Sequence, residues 1–231
     1  MNNKKVKITR YAVSSAMLVN ALAAPVSVFA AEETISPDLV QAAVKELIDK
    51  SIMSGDKNGD LNLEGKLTRV QAAGILARSL NLDTSKLPNS TFNDVSNDHW
   101  GLKYISIMEN LGVMKGSNGS FRPNAILTKE ELAIVLVRIT QTNIVGKGNN
   151  LQISDSSDIS DWAKPYVHAA IEAGLIPVQN GKFAPKSQVD RKEVALLTAA
   201  FIKSEKFEQY KAEINKLLEE GKKISNSDPA A

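Results

Sequence analysis

The sequence predicts a mainly α-helical protein assembled from three consecutive copies of one helix–short hairpin–helix unit. Three observations support this prediction: the chain matches itself at a fixed offset, its apolar residues recur with a helical period, and an Asn-Gly pair stands at the same place in every copy. A unit of about 60 residues buries little surface by itself. We therefore expect the three units to share one core and to form a single pseudo-threefold domain over residues 35–203.

The internal repeat is clearest in the second half of the chain. Residues 112–131 align with residues 174–193 without a gap at an offset of 62, and Trp100 falls on Trp162 at the same offset. A more diverged copy at residues 51–71 needs one inserted residue in its turn. We assign residues 1–30 to a signal peptide, 31–85 to a first repeat whose N-terminal half is degenerate, 86–147 to a second repeat, 148–204 to a third repeat, and 205–231 to an amphipathic helix and a flexible tail.

Within each repeat the local sequence predicts every element. In the second repeat the apolar residues of 100–111 follow a helical period, and Gly112 provides the left-handed residue that ends such a helix. Asn118-Gly119 predicts a two-residue turn between short extended segments. Thr128 then begins the next helix with Glu131 three residues later, which is a capping box. The same device is expected at Thr68/Gln71 and at Asp190/Glu193.

The first thirty residues predict export. A basic segment at residues 4–10 precedes an apolar run at residues 11–24, and Val28-Phe29-Ala30 has the spacing of a cleavage site, which we place after Ala30. The apolar run, about 14 residues long, is shorter than the roughly 20 residues that a membrane-spanning helix needs. We therefore expect a secreted protein that has no membrane association after signal cleavage.

Composition excludes several classes of function. The chain has no Cys, which excludes disulfides, iron–sulfur clusters and Cys-ligated metal sites. Its two His residues are too few for a His-rich metal site. Four of the 28 Lys and Arg residues lie within the first ten positions, and the 24 that remain are outnumbered by 26 Asp and Glu. A slightly acidic body disfavours nucleic-acid binding. The run from Asp56 to Asp60 resembles the start of a calcium loop, but Leu61 and Leu67 stand where that loop needs Gly and Glu.

The segment after the third repeat predicts one more amphipathic helix. Its apolar residues recur at helical spacing with charged residues between them: Phe207, Tyr210, Ile214, Leu217 and Leu218. Two roles are open for this helix, namely packing on the three repeats or recruitment of a partner protein. If the three repeats are self-sufficient, truncation after Ser204 should leave binding intact.

The second repeat resembles the S-layer homology (SLH) motif over most of its length. The resemblance is carried by Phe92-x-Asp94-Val95, Trp100, Gly112-Val113-x-x-Gly116, Asn118-Gly119-x-Phe121-x-Pro123 and Leu127-Thr128-Lys129-Glu130-Glu131. The third repeat matches well from Trp162 onward and ends in Asp190-Arg191-Lys192-Glu193. The first repeat matches only in its second half, which ends in Leu67-Thr68-Arg69-Val70-Gln71, and it has Leu39 in place of the Trp.

The SLH resemblance implies a non-catalytic module that anchors a protein to the bacterial cell wall. Triplets of this kind fold as a three-pronged spindle around a central helix bundle. They hold secondary cell-wall polysaccharide, a peptidoglycan-linked polymer that typically bears pyruvylated N-acetylmannosamine, in the grooves between the prongs. The resemblance implies a location in the cell wall or surface layer of a Gram-positive-type bacterium, and it implies no cofactor.

Two other classes of function stay open at this point. The protein is alternatively a structural or interaction protein of a surface layer, whose C-terminal helix recruits a surface-layer partner. A small wall-modifying enzyme would need a carboxylate pair, or a nucleophile and its base, outside the capping positions. Because Glu131 and Glu193 are accounted for by capping and no other such pair is evident, we predict that the protein is not an enzyme.

Three basic residues at one repeat position are the main candidates for ligand binding: Arg69, Lys129 and Arg191. Each follows a helix N-cap, where a cation opposes the helix dipole at a cost of about 0.3–1 kcal/mol. Free backbone N–H groups at a helix N-terminus, together with a cation, would form a pocket for a polymer carboxylate. The alternative is a solvated side chain or an ion pair with a neighbouring repeat. On the binding interpretation, replacement by Ala leaves stability level or slightly raised, and Lys129, which lacks the bidentate geometry of Arg, gives a weaker groove.

The remaining candidate ligand-binding residues are Trp100, Trp162, Asp94, Asp155 and Gly116. An indole face can stack on a sugar ring, as the resemblance implies, or both tryptophans can be core residues at the start of a helix. The two aspartates could accept hydrogen bonds from sugar groups or could equally hold the following helix or turn. Gly116 belongs to the motif. Because the first repeat lacks the F-x-D-V segment and the Trp, we expect at most two good grooves, and we expect the groove of Trp100 and Asp94 to dominate.

Overall fold

The computed structural model describes residues 36–85 and 90–221, and within them it is helical without a β-strand. The mainly α prediction is confirmed. The seven α-helices of the described residues are α1 (Pro37–Asp49), α2 (Arg69–Ser79), α3 (Leu102–Asn110), α4 (Lys129–Ile139), α5 (Lys164–Glu172), α6 (Arg191–Ile202) and α7 (Phe207–Glu219), with a short 3-10 turn at Ser156–Asp158. The signal peptide assigned to residues 1–30 and the tail at 222–231 lie outside the described residues. None of the described helices is long and apolar enough to cross a membrane.

The repeats interlock, because the first helix of each repeat packs on the second helix of the repeat before it. Helix α3 lies against α2, α5 lies against α4, and α1 lies against α6 of the third repeat. The last of these pairings joins the two ends of the triplet. Apolar side chains of all three repeats meet in one buried cluster, which supports the expectation of a shared core, and a second cluster joins the first and second repeats to α7.

A ring of three backbone hydrogen bonds joins the segments that precede the second helices. Leu67 N–H donates to the Val189 carbonyl at 2.9 Å, Leu127 N–H donates to the Leu67 carbonyl at 2.9 Å, and Val189 N–H donates to the Leu127 carbonyl at 3.0 Å. The three side chains are fully buried. The ring relates the repeats in a cyclic order, which supports a pseudo-threefold arrangement; the overall spindle shape stays a prediction.

The three second helices face one another around a small apolar space. A cavity of about 20 Å³ is lined by side chains of all three, among them Leu76, Leu136 and Leu197. The apolar side chains of α2, α4 and α6 therefore face a common space, while the close helix pairs of the domain are α1 with α6, α2 with α3, and α4 with α5.

The predicted turns and caps form, with one exception. Asn118 and Gly119 have φ values of +51° and +75°, and Ser117 and Ser120 exchange two backbone hydrogen bonds across them. Gly112 takes the left-handed conformation at the end of α3, with φ of +73°.

Full capping boxes are present at Thr68/Gln71 and Thr128/Glu131. The expectation of a full capping box at Asp190/Glu193 is wrong. Asp190 accepts a hydrogen bond from Glu193 N–H, but the Glu193 side chain does not return to the Asp190 backbone. Two carboxylates would repel each other there, and the Glu193 carboxylate instead lies 3.6 Å from Lys129 Nζ.

Helix α7 packs on the same core as the repeats. Ile214 is fully buried and Phe207 is 8% exposed, and both belong to the cluster formed by α2, α3 and α4. The Phe201 ring at the end of α6 contacts Phe207 edge-on at 5.3 Å and stacks on Tyr210 at 6.1 Å between ring centroids. The prediction of an amphipathic helix is confirmed, and its apolar face covers the protein's own interior.

Candidate functional site

The basic residue of the first repeat reaches into the hairpin of the second. Arg69 is 6% exposed; its Nε donates to the Phe121 carbonyl at 2.9 Å and its Nη2 donates to the Lys115 carbonyl at 2.9 Å. Its guanidinium carbon lies 4.8 Å from the centroid of the Phe121 ring. Arg69 therefore holds two neighbouring repeats together through polar atoms that have little access to water.

The other two basic residues repeat this reach in cyclic order. Arg191 of the third repeat enters the hairpin of the first, where its Nε donates to the Leu61 carbonyl at 2.7 Å and its Nη2 to the Ser54 carbonyl at 3.0 Å. Lys129 of the second repeat enters the third, with Nζ 5.5 Å from the Phe183 ring centroid. A single ammonium group cannot copy the two parallel donors of a guanidinium.

The expectation of free backbone N–H groups beside these cations is wrong. The N–H groups of Arg69, Lys129 and Arg191 donate at 2.9–3.0 Å to the carbonyls of Ala125, Ser187 and Gly65, each in the next repeat. The following N–H groups donate to the same segments, and the third ones are taken by the N-cap side chains. The backbone N–H groups at these helix ends thus already have partners within the protein. An anion at these positions could be bound only by the side chains.

The acidic partners of the three cations differ. Glu131 Oε1 lies 3.7 Å from Arg69 Nη1, and Glu193 Oε1 lies 3.6 Å from Lys129 Nζ. The corresponding residue for Arg191 is Gln71, which is neutral. Burial raises the pKa of Glu193, although Lys129 acts to lower it. The ion pair with a neighbouring repeat, left open by the sequence, is therefore present for Arg69 and Lys129.

A groove of about 310 Å³ lies around Arg191 at the meeting point of all three repeats. Trp100 of the second repeat, Gln71 and Arg78 of the first, and Arg191 of the third line it, together with the first repeat's hairpin. Desolvation by burial, followed by the nearby Arg78 guanidinium, lowers the pKa of Arg191. Two cations and an aromatic ring thus share one concave surface.

Both tryptophans lie at the protein surface and not in the core. Trp100 is 58% exposed and Trp162 is 51% exposed, and Leu39, which takes this position in the first repeat, is 38% exposed. His99 stacks on Trp100 at 5.9 Å, and Tyr104 meets it edge-on at 6.4 Å between ring centroids. An indole that is held by neighbouring rings and still open to solvent is well placed to contact a ligand.

Asp94 and Asp155 hold the hairpins. Asp94 accepts hydrogen bonds from the N–H groups of Phe121 and Arg122 at 2.8 and 2.7 Å, and Asp155 accepts equivalent bonds from Phe183 and Ala184 at 3.0 and 2.7 Å. Arg122 and Ala184 have φ values of +58° and +56°, a conformation that needs such support in residues other than glycine. Of the two alternatives left open by the sequence, the geometry favours the turn-holding one. Asp94 therefore belongs to the hairpin that Arg69 enters and does not line the Trp100 groove among the described residues.

The Asp155 carboxylate makes the free energy of unfolding depend on pH. Burial acts to raise its pKa, but the hydrogen bonds from Phe183 and Ala184 prevail and the pKa of Asp155 is lowered. Because the pKa of Asp155 is lower in the folded state than in the unfolded state, where it is about 3.9, the ionised carboxylate stabilises the fold above that pH. This contribution is lost as the pH falls through the folded-state pKa. We expect Asp155→Asn to lower the free energy of unfolding by about 1–3 kcal/mol at pH 7 and to flatten its fall below pH 4. Urea titrations from pH 2 to 7 check this, with exposed Asp158→Asn as the control; equal slopes for wild type and Asp155→Asn would contradict it.

Packing around Gly116 explains why glycine occupies this position. A Cβ atom there would lie 2.2 Å from Phe92 Cε1 and 2.6 Å from the Ser120 carbonyl oxygen. Glycine therefore allows the Phe92 ring to cover the hairpin. The ligand-binding role expected for Gly116 stays a proposal. In the first repeat the corresponding Gly55 does line the Trp100 groove.

The sequence did not predict two residues of the groove, Arg78 and Gln71, or the residue that holds the turn before Trp162, Glu130. Arg78 lies over the Tyr104 ring at 5.1 Å and donates through Nε to the Ile52 carbonyl at 2.8 Å. Its counterpart Arg138 stands over Tyr166, and the offset of 60 between the two arginines was the available signal. The neutral Gln71 could have been noted by the same alignment.

The missed support is Glu130, which is buried near the second tryptophan. Its carboxylate is 3% exposed and accepts hydrogen bonds from Ser160 N–H at 3.1 Å and from Lys186 Nζ at 2.6 Å. Because Ser160 lies two residues before Trp162, this network fixes the turn that carries the indole.

Comparison with known proteins identifies relatives of the repeats. The S-layer homology domain model matches residues 91–133 and 152–195. The chain is 30% identical over 167 residues to the surface-layer 125 kDa protein of Lysinibacillus sphaericus, covering 70% of this chain and 14% of that one. It is 27% identical over 194 residues to the S-layer protein EA1 of Bacillus anthracis, covering 81% and 22%. It is 27% identical over 170 residues to the exoglucanase XynX of Acetivibrio thermocellus, covering 71% and 15%.

The matches locate the family relationship within the chain. The chain spans 7% to 22% of the length of the curated relatives it matches. The two matched segments fall in the second and third repeats as assigned from the sequence, while the first repeat has no match of its own to the model. Two segments of this chain, in its second and third repeats, thus match the S-layer homology domain model.

Proposed function

We propose that this chain is a non-catalytic cell-wall anchoring module that binds an anionic secondary cell-wall polysaccharide in the groove of Trp100 and Arg191. The observation that carries the proposal is the meeting of an exposed indole with two guanidinium groups on one concave surface. The SLH matches support the wall-anchoring part, because SLH domains anchor proteins to the cell wall.

The chemistry of the groove suits a sugar that bears a carboxylate. An indole face packs against the C–H face of a sugar ring, and a guanidinium pairs with a carboxylate through two parallel hydrogen bonds. The pyruvate ketal of a pyruvylated N-acetylmannosamine residue supplies both features in one ligand. This proposal gives smaller parts to Trp162 and Lys129. It also gives smaller parts to Asp94 and Asp155, because each aspartate already accepts two backbone hydrogen bonds.

The proposed location is the outside of a Gram-positive-type cell, where the chain binds a peptidoglycan-linked polymer. This rests on the export signal expected at residues 1–30 and on the names of the relatives, several of which are S-layer proteins. The relative named as an exoglucanase shares 15% of its length with this chain, which fits an anchor attached to a separate catalytic part.

The alternative of a surface-layer protein that recruits a partner through its C-terminal helix is less well supported. The two most buried residues of α7, Phe207 and Ile214, already contact the protein's own core. A partner would therefore meet the charged face of α7, which offers little apolar area.

The proposal is tested by sedimentation with purified Bacillus cell walls. We expect the protein to sediment with intact walls, to stay soluble with walls stripped of secondary polysaccharide, and to bind less to walls from cells that do not pyruvylate this polymer. Trp100→Ala should weaken binding about fivefold without loss of folding, because the indole is largely exposed and an aromatic contact contributes roughly 1 kcal/mol.

Val145→Ala is the matched control, since Val145 is 62% exposed and is not a lining residue of the groove. Equal binding to intact and stripped walls would overturn the polysaccharide proposal. Unchanged binding of Trp100→Ala would leave an anchor but overturn this groove as its site.

A further inference from the structure

We propose that the charge of one residue, Gln71, restricts carboxylate binding to one of the three equivalent positions in the triplet. The inference rests on the proposed function and adds the number of sites and the residue that determines it. Each of the three basic residues faces the third residue of the next repeat's second helix, and these residues are Glu131, Glu193 and Gln71.

At two of the positions the cation is already paired within the protein. Glu131 faces Arg69 and Glu193 faces Lys129 at 3.6–3.7 Å. An incoming carboxylate there would meet a fixed negative charge and compete with it for one cation. Like charges so close to one another repel, and the repulsion is strongest where water is excluded.

At the third position the cations keep their charge for a ligand. No carboxylate of the described residues forms an ion pair with Arg191 or Arg78. The groove also contains Asp56 and Asp60, but Asp56 Oδ1 accepts the N–H groups of Asn58 and Asp60 at 2.8 and 2.9 Å, and Asp60 Oδ1 accepts Asn62 N–H at 2.8 Å. Both aspartates keep their negative charge, but they hold the hairpin through backbone N–H groups, and among the described residues neither forms an ion pair with Arg191 or Arg78.

Gln71 keeps the structural role of the glutamate that it replaces. Its Oε1 accepts the Thr68 N–H at 3.0 Å, as Glu131 Oε2 accepts the Thr128 N–H at 2.9 Å. The helix cap is the same in both repeats and only the charge differs. Exchange of Gln and Glu at this position is thus close to a pure test of charge.

Two further features distinguish the Trp100 groove from its counterparts: an exposed aromatic side chain and a second arginine. The exposed side chain is Trp100 in this groove, and in the cyclic order of the repeats its counterparts are Trp162 for Arg69 and Leu39 for Lys129. The position of Arg78 is taken by Arg138 in the second repeat and by Ala200 in the third. Among the three positions, the aromatic ring, the second arginine and the neutral partner occur together at the Trp100 groove.

The test measures binding of the methyl glycoside of pyruvylated N-acetylmannosamine by calorimetry, with the unpyruvylated glycoside as the second arm. We expect wild type to bind one equivalent of the pyruvylated sugar. Gln71→Glu should weaken this binding at least tenfold while the thermal unfolding midpoint stays within a few degrees. The matched control is Glu131→Gln, the reverse exchange at the equivalent capping position, which should leave the affinity of that one site unchanged.

Each outcome decides a different statement. Equal affinity of wild type and Gln71→Glu, equal losses in Gln71→Glu and Glu131→Gln, or two or three equivalents bound to wild type would each overturn the single-site inference while the proposed function stands. Absence of binding to wild type, or equal binding of both glycosides, would overturn the carboxylate part of the proposed function and this inference with it. If Gln71→Glu does not fold, the stoichiometry of Glu131→Gln decides instead, because removal of the charge that pairs with Arg69 should add a second, weaker equivalent, and its absence would overturn the inference.

Discussion

Replacement of Arg69 by Ala is expected to lower the free energy of unfolding by about 3–5 kcal/mol. The substitution removes two donors from the carbonyls of Phe121 and Lys115 and leaves the Glu131 carboxylate without its cation in a half-buried setting. Loss of one partner of a buried charged group has costs of this size, because the groups left behind are neither hydrated nor paired. The result would reverse the expectation, drawn from the helix dipole alone, that stability stays level.

Urea unfolding at pH 7, with Lys129→Ala as the comparison, measures this effect. Lys129 makes one ion pair at 3.6 Å and one ring contact, so we expect its removal to have about half the effect of Arg69→Ala. A change below about 1 kcal/mol for Arg69→Ala would show that the inter-repeat hydrogen bonds contribute little to stability.

Truncation after Ser204 is expected to destabilise the domain by at least about 3 kcal/mol. It removes Ile214 and Phe207 from the core, and burial of each such side chain contributes roughly 1.5–3 kcal/mol. It also removes the Gln141–Glu213 hydrogen bond of 3.1 Å that joins the turn after α4 to α7. On this basis we propose that α7 belongs to the folding unit and not to a separable tail.

Thermal unfolding followed by circular dichroism checks this, with truncation after Gly221 as the control that keeps α7 whole. A chain truncated after Ser204 that unfolds at the wild-type temperature, and binds walls as tightly, would restore the boundary after residue 204. A milder variant, Ile214→Ala, should show a smaller loss of about 2–4 kcal/mol.

The features predicted correctly from sequence are those that depend on neighbours in the chain. A threonine with an acid or amide three residues later determines a helix start through contacts within one turn, as at Thr68 and Thr128. Asn118-Gly119 and Gly112 are determined in the same way by the φ values that only a few residues tolerate. Periodicity alone predicted α7, because its apolar residues recur on one face.

The candidate site was predicted only in part because its contacts join distant residues. Arg191 donates to Leu61, 130 positions away, and no local pattern indicates whether a cation meets a carbonyl, a carboxylate or solvent. The position of the cations was read correctly, but their free N–H neighbours were not, since the carbonyls that close the helix ends belong to the next repeat. Trp100 and Asp94 are expected in one groove because both belong to the best-preserved repeat, but Asp94 accepts hydrogen bonds within the hairpin and is not a lining residue of the Trp100 groove.

The pairing of α1 with α6 distinguishes this triplet from open repeat arrays. In an open solenoid a repeat can be added at either end, and folding can begin anywhere and spread to neighbours. Here residues 37–49 have their partner at residues 191–202, so the first described helix is joined to the last of the second helices. Synthesis proceeds from the N-terminus, so α1 is made long before its partner α6. A chain interrupted before residue 191 therefore leaves the apolar face of α1 without the helix that packs on it.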